Sequence, residues 1–216
     1  MWIVARTATS LRRTSANLDV SPQPPDSDWI VPPATFAGRV VLSDYDPSWP
    51  AQYQGVADRI RAAIAETAVI LEHVGSTSVP GLSAKDLIDV VLGVPDSTDE
   101  AAYVPALEAA GFELAIRESE FEHRLFRGTE PDVNLHAYSA GSEAIGDMLL
   151  FRDWLRTHPD DRVLYEREKR RLAERHWDTV QDYADAKTDV VREIVGRATA
   201  ATGTDGDGST DGEVRP

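Results

Sequence analysis

The feature that most narrows the fold is a nearly continuous apolar run, Leu87-Ile88-Asp89-Val90-Val91-Leu92-Gly93-Val94, interrupted only by Asp89 and Gly93. A strand with apolar side chains on both faces must be covered on both, so the run predicts a buried central strand. Asp89 is the exception within it. An unpaired carboxylate in such a strand is costly. It is therefore expected either to be bonded to loop N–H groups or to Lys85, or to hold a cation.

The surrounding pattern supplies the layers. Tyr53, Val56, Ile60 and Ile64 fall on one face of a helix. Residues 69–73 read as a strand, and 39–42 as a short strand leading to the turn Asp44-Tyr45-Asp46-Pro47. Residues 99–110 read as helical, ended by Gly111, and 112–117, 122–127 and 133–138 as three strands. After Gly141 the spacing becomes helical. Ile145, Met148, Leu149 and Leu155 line one helix, and His158-Pro159-Asp160 precedes a charged one. Tyr183, Ala186, Val190 and Ile194 form the stripe of a single last helix. The expected fold is α/β (α+β): a mixed β-sheet flanked by helices, with a helical C-terminal half. Residues 1–37, with Ser21-Pro22-Gln23-Pro24-Pro25, read as an extension. Residues 199–216 read as a disordered acidic Gly/Asp-rich tail, which leaves 38–198 as the folded unit.

Composition restricts the partners. Asp and Glu number 37 against 22 Lys and Arg, a net charge of −15. That surface repels nucleic acid and anionic lipid, and it resembles a salt-adapted, acidic proteome. Lysine occurs only at Lys85, Lys169 and Lys187. Cysteine is absent, which excludes disulfide and thiolate chemistry. No run has the length of a membrane span. Arg12-Arg13 has no apolar segment behind it, so no export signal is read and a cytoplasmic location is expected.

The loop Gly75-Ser76-Thr77-Ser78 follows the strand at 69–73. A glycine and a hydroxyl there let backbone N–H groups approach an anion, with phosphate oxygens as natural guests; a plain turn between strands is the other reading. Arg124 and Arg127 are expected to share one side of their strand, holding a phosphate bidentately or pairing with surface acids. Of the five histidines, His73 and His136 would converge with Asp89 at one end of the sheet. That set suits Zn²⁺, Mn²⁺ or Fe²⁺; otherwise both are hydrogen-bonded cleft residues.

The stretch from His73 through Gly75-Ser76-Thr77-Ser78-Val79-Pro80-Gly81-Leu82 to Lys85-Asp86-Leu87-Ile88-Asp89 resembles the signature of the GrpB family. Asp46-Pro47-Ser48-Trp49-Pro50, Asn134-Leu135-His136 and Leu150-Phe151-Arg152-Asp153-Trp154 agree with it. The family is similar to the nucleotidyltransferase superfamily, and some members occur fused to dephospho-coenzyme A kinase. The resemblance implies that Gly75-Ser76 is the phosphate loop and Asp89 the first metal-binding carboxylate. The second carboxylate position holds Val91, a departure from the pattern. The third would fall on Asn134 or His136. Glu72, Asp86 or Glu122 would have to substitute.

Three functions follow from this reading. One is a nucleotidyltransferase-like enzyme using a nucleoside triphosphate and Mg²⁺ or Mn²⁺. In it Ser76 and the loop amides grip phosphate, Asp89 holds the metal and Lys85 or Arg124 steadies developing charge. Another is a non-catalytic module binding a nucleotide or phosphorylated small molecule, which Val91 favours. The last is a His/Asp metal-dependent phosphate-ester hydrolase.

Overall fold

The computed structural model describes residues 29–31, 38–119 and 121–204. Helix α1 (Trp49–Ile64) begins with Pro50 in its first turn, where a missing N–H costs nothing. It leads into β1 (Ile70–Val74), a short 3₁₀ turn (Ser76–Ser78) and β2 (Ile88–Val94). Helix α2 (Val104–Ala109) and strands β3 (Phe112–Glu118), β4 (His123–Gly128) and β5 (Val133–Ser139) follow. Helices α3 (Glu143–Thr157), α4 (Pro159–Ala173), α5 (Val180–Asp185) and α6 (Thr188–Thr204) complete the described chain. The mixed α+β architecture is the one expected.

The strands lie in the order β1-β2-β5-β4-β3, with β2 and β5 parallel and every other pair antiparallel. The apolar run is therefore central, as its composition requires. Ile88, Val90, Leu92 and Val94 pack with Val133, Leu135 and Phe126 under α1 and α2. The opposite face carries Val91, Val74 and Tyr138, covered by α3, α4 and α6 through Met148, Phe151, Tyr165 and Val191. Asp89 belongs to this second face, because the register sets it beside Val74 on β1 and Asn134 on β5.

Two expectations are corrected. Residues 39–42 form no strand: Gly38 bridges to Trp177 and Ser43 to Ala84, single pairings that do not extend into a ladder. The last helical stripe is two helices, separated at Ala186 and Lys187: α5 starts on its own Thr179–Asp182 capping box and ends within two turns, and α6 starts at Thr188. Part of the expected extension packs on the fold. The register shift at Leu114/Ile116 sets Ala115 outside the β4 ladder. Its carbonyl accepts from the N–H groups of Ile30 (3.0 Å) and Val31 (3.1 Å), while Trp29 packs on Ile116. The rest of the 1–37 assignment, and residues 205–216 of the tail, lie outside the described residues. Helix α6 itself runs to Thr204, though its last buried side chain is Ala198.

Candidate functional site

Strand β1 ends at Gly75, whose φ of +72° and ψ of −176° only glycine adopts without strain. A Cβ there would overlap the Asp89 carboxylate. The bare backbone thus lets the loop close over Asp89 and turns the next residue, Ser76, into a cavity. The cavity lies between the second sheet face and the C-terminal helices. Its polar lining includes Ser76, Lys85, Asp89, Asn134, Lys169 and Lys187, and its apolar wall includes Met148, Phe151 and Leu155. It measures about 70 Å³. One water needs about 10–15 Å³ by the same measure, so the space suits a phosphate-sized group.

All three lysines of the chain line this cavity. Lys169 is 2% exposed; its Nζ donates to Ser76 Oγ at 3.1 Å and to the Ser83 carbonyl. Burial lowers its pKa to about 7, against Glu166, which raises it. Lys187 is brought to about 7 by burial and by the like charges of Lys85 and Lys169, and it sits 4.6 Å from the Tyr183 ring centre. Burial also lowers Lys85, with Asp89 acting the other way. Among the described residues no carboxylate forms a salt bridge with any of the three. Asp89 is the one carboxylate lining the cavity among the described residues. Burial pushes its pKa up, but neighbouring His136 and the charge of Lys85 hold it at about 2, so it is ionised at neutral pH. Three amines face one carboxylate, and the imbalance favours a guest anion.

Beside the cavity a second polar row crosses the sheet. His136 Nε2 lies 3.7 Å from Asp89 Oδ1, too long for a hydrogen bond, and has no hydrogen-bond partner among the described residues. His136 Nδ1 meets His123 Nε2 at 3.2 Å, and His123 Nδ1 lies 3.3 Å from Glu118 Oε2. The His123 ring stacks on Tyr138 with centres 4.6 Å apart. Burial lowers both histidine pKa values, so the row is neutral at its centre.

The structure brings together Gly75, Ser76, Thr77, Lys85 and Asp89 of the expected site. It sets the others apart. Ser78 is buried, its hydroxyl donating to the Gly75 carbonyl at 2.6 Å, and it closes the turn instead of facing the cavity. Arg124 and Arg127 do not share a face, because three residues along a strand reverse the side. Arg124 pairs with Ala137 under α2 and donates to Glu100 at 2.6 Å. Arg127 is on the cavity side, 6.0 Å from the Trp29 ring, lining an adjacent groove with Lys85 and Asn134. His73 pairs with Val90 and so faces α1, across the sheet from Asp89. There it stacks on Tyr53 and bonds Thr77 Oγ1 at 3.0 Å, and burial lowers its pKa to about 4. The expected His73–Asp89–His136 metal set therefore does not converge.

The metal pair implied by the resemblance meets the same obstacle. Val91 is fully buried among apolar side chains, and Asn134 Nδ2 donates to Asp89 Oδ1 at 3.2 Å in place of a third carboxylate. Glu72 is bound to Arg152, Asp86 accepts from the Trp49 indole, and Glu122 sits at the Ser97–Ser139 end of the sheet. Among the described residues no group of three or more His, Asp or Glu is placed to hold a metal ion. The residues present do not fit a two-metal centre. Also among the described residues, no helix is long and apolar enough to cross a membrane.

Lys169 and Lys187 were not assigned from sequence. Their signal was rarity, since a chain that uses arginine nearly everywhere keeps lysine at three positions. Arg152, which donates to Glu72 at 2.8 Å and to the His73 carbonyl at 2.9 Å, fixes the end of β1 against α3.

The family model described as GrpB protein matches residues 39–197. A UPF0157 protein of Halalkalibacterium halodurans is 52% identical over 162 residues, covering 74% of this chain and 83% of that protein. One from Streptomyces coelicolor is 49% identical over 163 residues, covering 76% of this chain and 86% of its own length. The crystal structure of the conserved protein GrpB from Enterococcus faecalis superposes with a TM-score of 0.67 at 27% identity, covering 75% of this chain and 99% of that one.

Proposed function

Since this chain belongs to the GrpB family, we propose that its cavity binds the phosphoryl group of a small molecule, a nucleotide or phosphorylated metabolite, through lysine charge instead of a metal pair. One observation carries this reading: in a chain of net charge −15, the only three lysines face one phosphate-sized cavity beside Ser76. Each buried ammonium is costly without a partner, and a phosphate supplies the missing charge to all three at once. The apolar wall of Met148, Phe151 and Leu155 would take the uncharged part of the ligand. Nucleotidyl transfer and metal-dependent hydrolysis both need metal ligands that this set lacks.

The test is calorimetric titration with pyrophosphate, inorganic phosphate and nucleoside triphosphates, each with and without Mg²⁺ or Mn²⁺. Binding of a phosphorylated compound without metal, weakened in Lys187→Met, is the expected result. Absence of binding by every phosphorylated compound, or affinity that survives Lys187→Met unchanged, would defeat the proposal. Binding that appears only with metal would restore the metal-centred reading.

A further inference from the structure

We propose that Ser76 and Lys169 form a nucleophile–base pair that hydrolyses an activated acyl compound, an ester or mixed anhydride whose phosphorylated portion Lys85 and Lys187 hold while Lys169 stays neutral. The phosphate handle rests on the reading above, but the pair itself does not.

The geometry satisfies the requirements of such a pair in turn. The nucleophile and the base are in contact, with Lys169 Nζ 3.1 Å from Ser76 Oγ. The base is oriented by a second contact, to the Ser83 carbonyl. Ser83 is itself fixed, since its N–H donates to Glu166 Oε2 at 3.0 Å and its hydroxyl to Glu166 Oε1. Glu166 also accepts from Arg170 Nε at 2.6 Å, and it forms no salt bridge with Lys169. The lysine is thus buried without an ion-pair partner among the described residues, and burial brings its pKa to about 7, where half the amines are free to accept a proton. The serine stays accessible: Gly75 makes the sharp turn out of β1, and Ser76 is partly exposed in the cavity wall.

The chemistry balances. The Ser76 Oγ–H proton passes to the neutral Lys169 amine as Oγ bonds to the carbonyl carbon. The tetrahedral intermediate collapses, breaking the bond to the leaving group, which takes the proton from the Lys169 ammonium. Water then attacks the acyl carbon and gives its proton to Lys169, and Ser76 leaves with that proton restored. The net reaction consumes one water and yields an acid and the leaving group. Serine–lysine pairs of this kind are an established variant of the activated serine.

The charged and titratable groups around Lys169 are Tyr165, Glu166 and Arg170 on α4, Lys187 and Tyr183 near the α5–α6 junction, Asp89 and Lys85 across the cavity, and Arg152 on α3. Of those acting on its own titration, Glu166 favours the ammonium and Arg170 opposes it.

The experiment treats the full chain with an uncharged alkyl fluorophosphonate and locates the adduct by peptide mass mapping. One adduct on Ser76 is expected, forming at a rate that rises with pH and levels off above about pH 7. K169R keeps the charge but has no accessible neutral form, and should label about a hundredfold more slowly. K169M should lose labelling to the same degree and guards against misfolding of K169R. A merely structural contact between the two side chains would leave the rate and its pH profile unchanged. The pair is refuted if the folded protein carries no adduct on Ser76, or if the folded lysine variants label as fast as the parent. Pyrophosphate separates the two proposals. Labelling that proceeds while pyrophosphate neither binds nor protects Ser76 leaves the pair standing and removes the phosphate handle; binding without labelling does the reverse.

Discussion

Two buried polar regions share one face of the sheet and solve the same problem differently. In the row Glu118–His123–His136 each ring has a neighbour on its own plane, and burial is tolerated because the histidines are neutral. In the cavity Lys85, Lys169 and Lys187 crowd one another around a single carboxylate, and among the described residues none of them forms a salt bridge. The row is neutral, with His136 Nε2 its one ring nitrogen without a hydrogen-bond partner among the described residues, and the cavity is left open on the side of negative charge. A buried polar cluster that stays neutral is structural, whereas one with surplus like charge is arranged around something else.

The largest effect is expected at the row. His123→Ala removes a fully buried ring and strands its partners on either side, which should cost about 3 kcal/mol of stability. Pyrophosphate affinity should stay unchanged. Chemical denaturation with parallel titration checks this, and a matching loss of affinity would show that the two regions are one. Gly75→Ala sharpens the cavity side. The φ of +72° and the overlap with Asp89 together should cost about 2 kcal/mol and weaken pyrophosphate binding as well, measured by the same pair of experiments. A fully stable variant would mean that the loop shifts freely.

Lys187→Met should lower pyrophosphate affinity about tenfold to a hundredfold, the scale of one charge-assisted hydrogen bond. Its unfolding midpoint without ligand should hold or rise, because a buried ammonium is replaced by an apolar side chain. A lower midpoint would make that lysine a structural element like the histidines.

The pH dependence separates the regions by the window in which each acts. Lys169 and Lys187 titrate near pH 7 in the fold and near 10.5 when unfolded. The unfolded chain therefore holds more protons between those values, and stability without ligand should rise with pH through that window. Lys187→Met should flatten the rise. His123 and His136 titrate below 6.5 in the fold. Their contribution is present above pH 6.5 and lost as pH falls below it, and His123→Phe should flatten only that acid limb. A bound phosphate favours the ammonium form of Lys187, so affinity should decline as pH rises above 7. Thermal melts across pH 5–9.5 test all three signs, and either variant altering the other's limb would contradict the separation.

Much of the fold was legible because its elements are periodic or apolar on their own. The central strand, the strands near 112, 122 and 133, and the first helix each carry their burial pattern locally. The misreadings have two causes. The supposed strand at 39–42 and the unbroken last helix depended on partners elsewhere in the chain. The shared face claimed for Arg124 and Arg127 overlooked that three steps along a strand reverse the side.

The sequence by itself determined that β2 is central, that Asp89 is an exception within it, and that Gly75-Ser76 opens a loop toward it. Periodicity and desolvation act within a few residues, and those facts follow from them. Only the tertiary structure decided that His73 lies across the sheet from Asp89, and that Lys169, distant in the chain, touches Ser76. Strand register and helix packing bring remote positions together. The cavity's charge is a property of that meeting and belongs to no single segment.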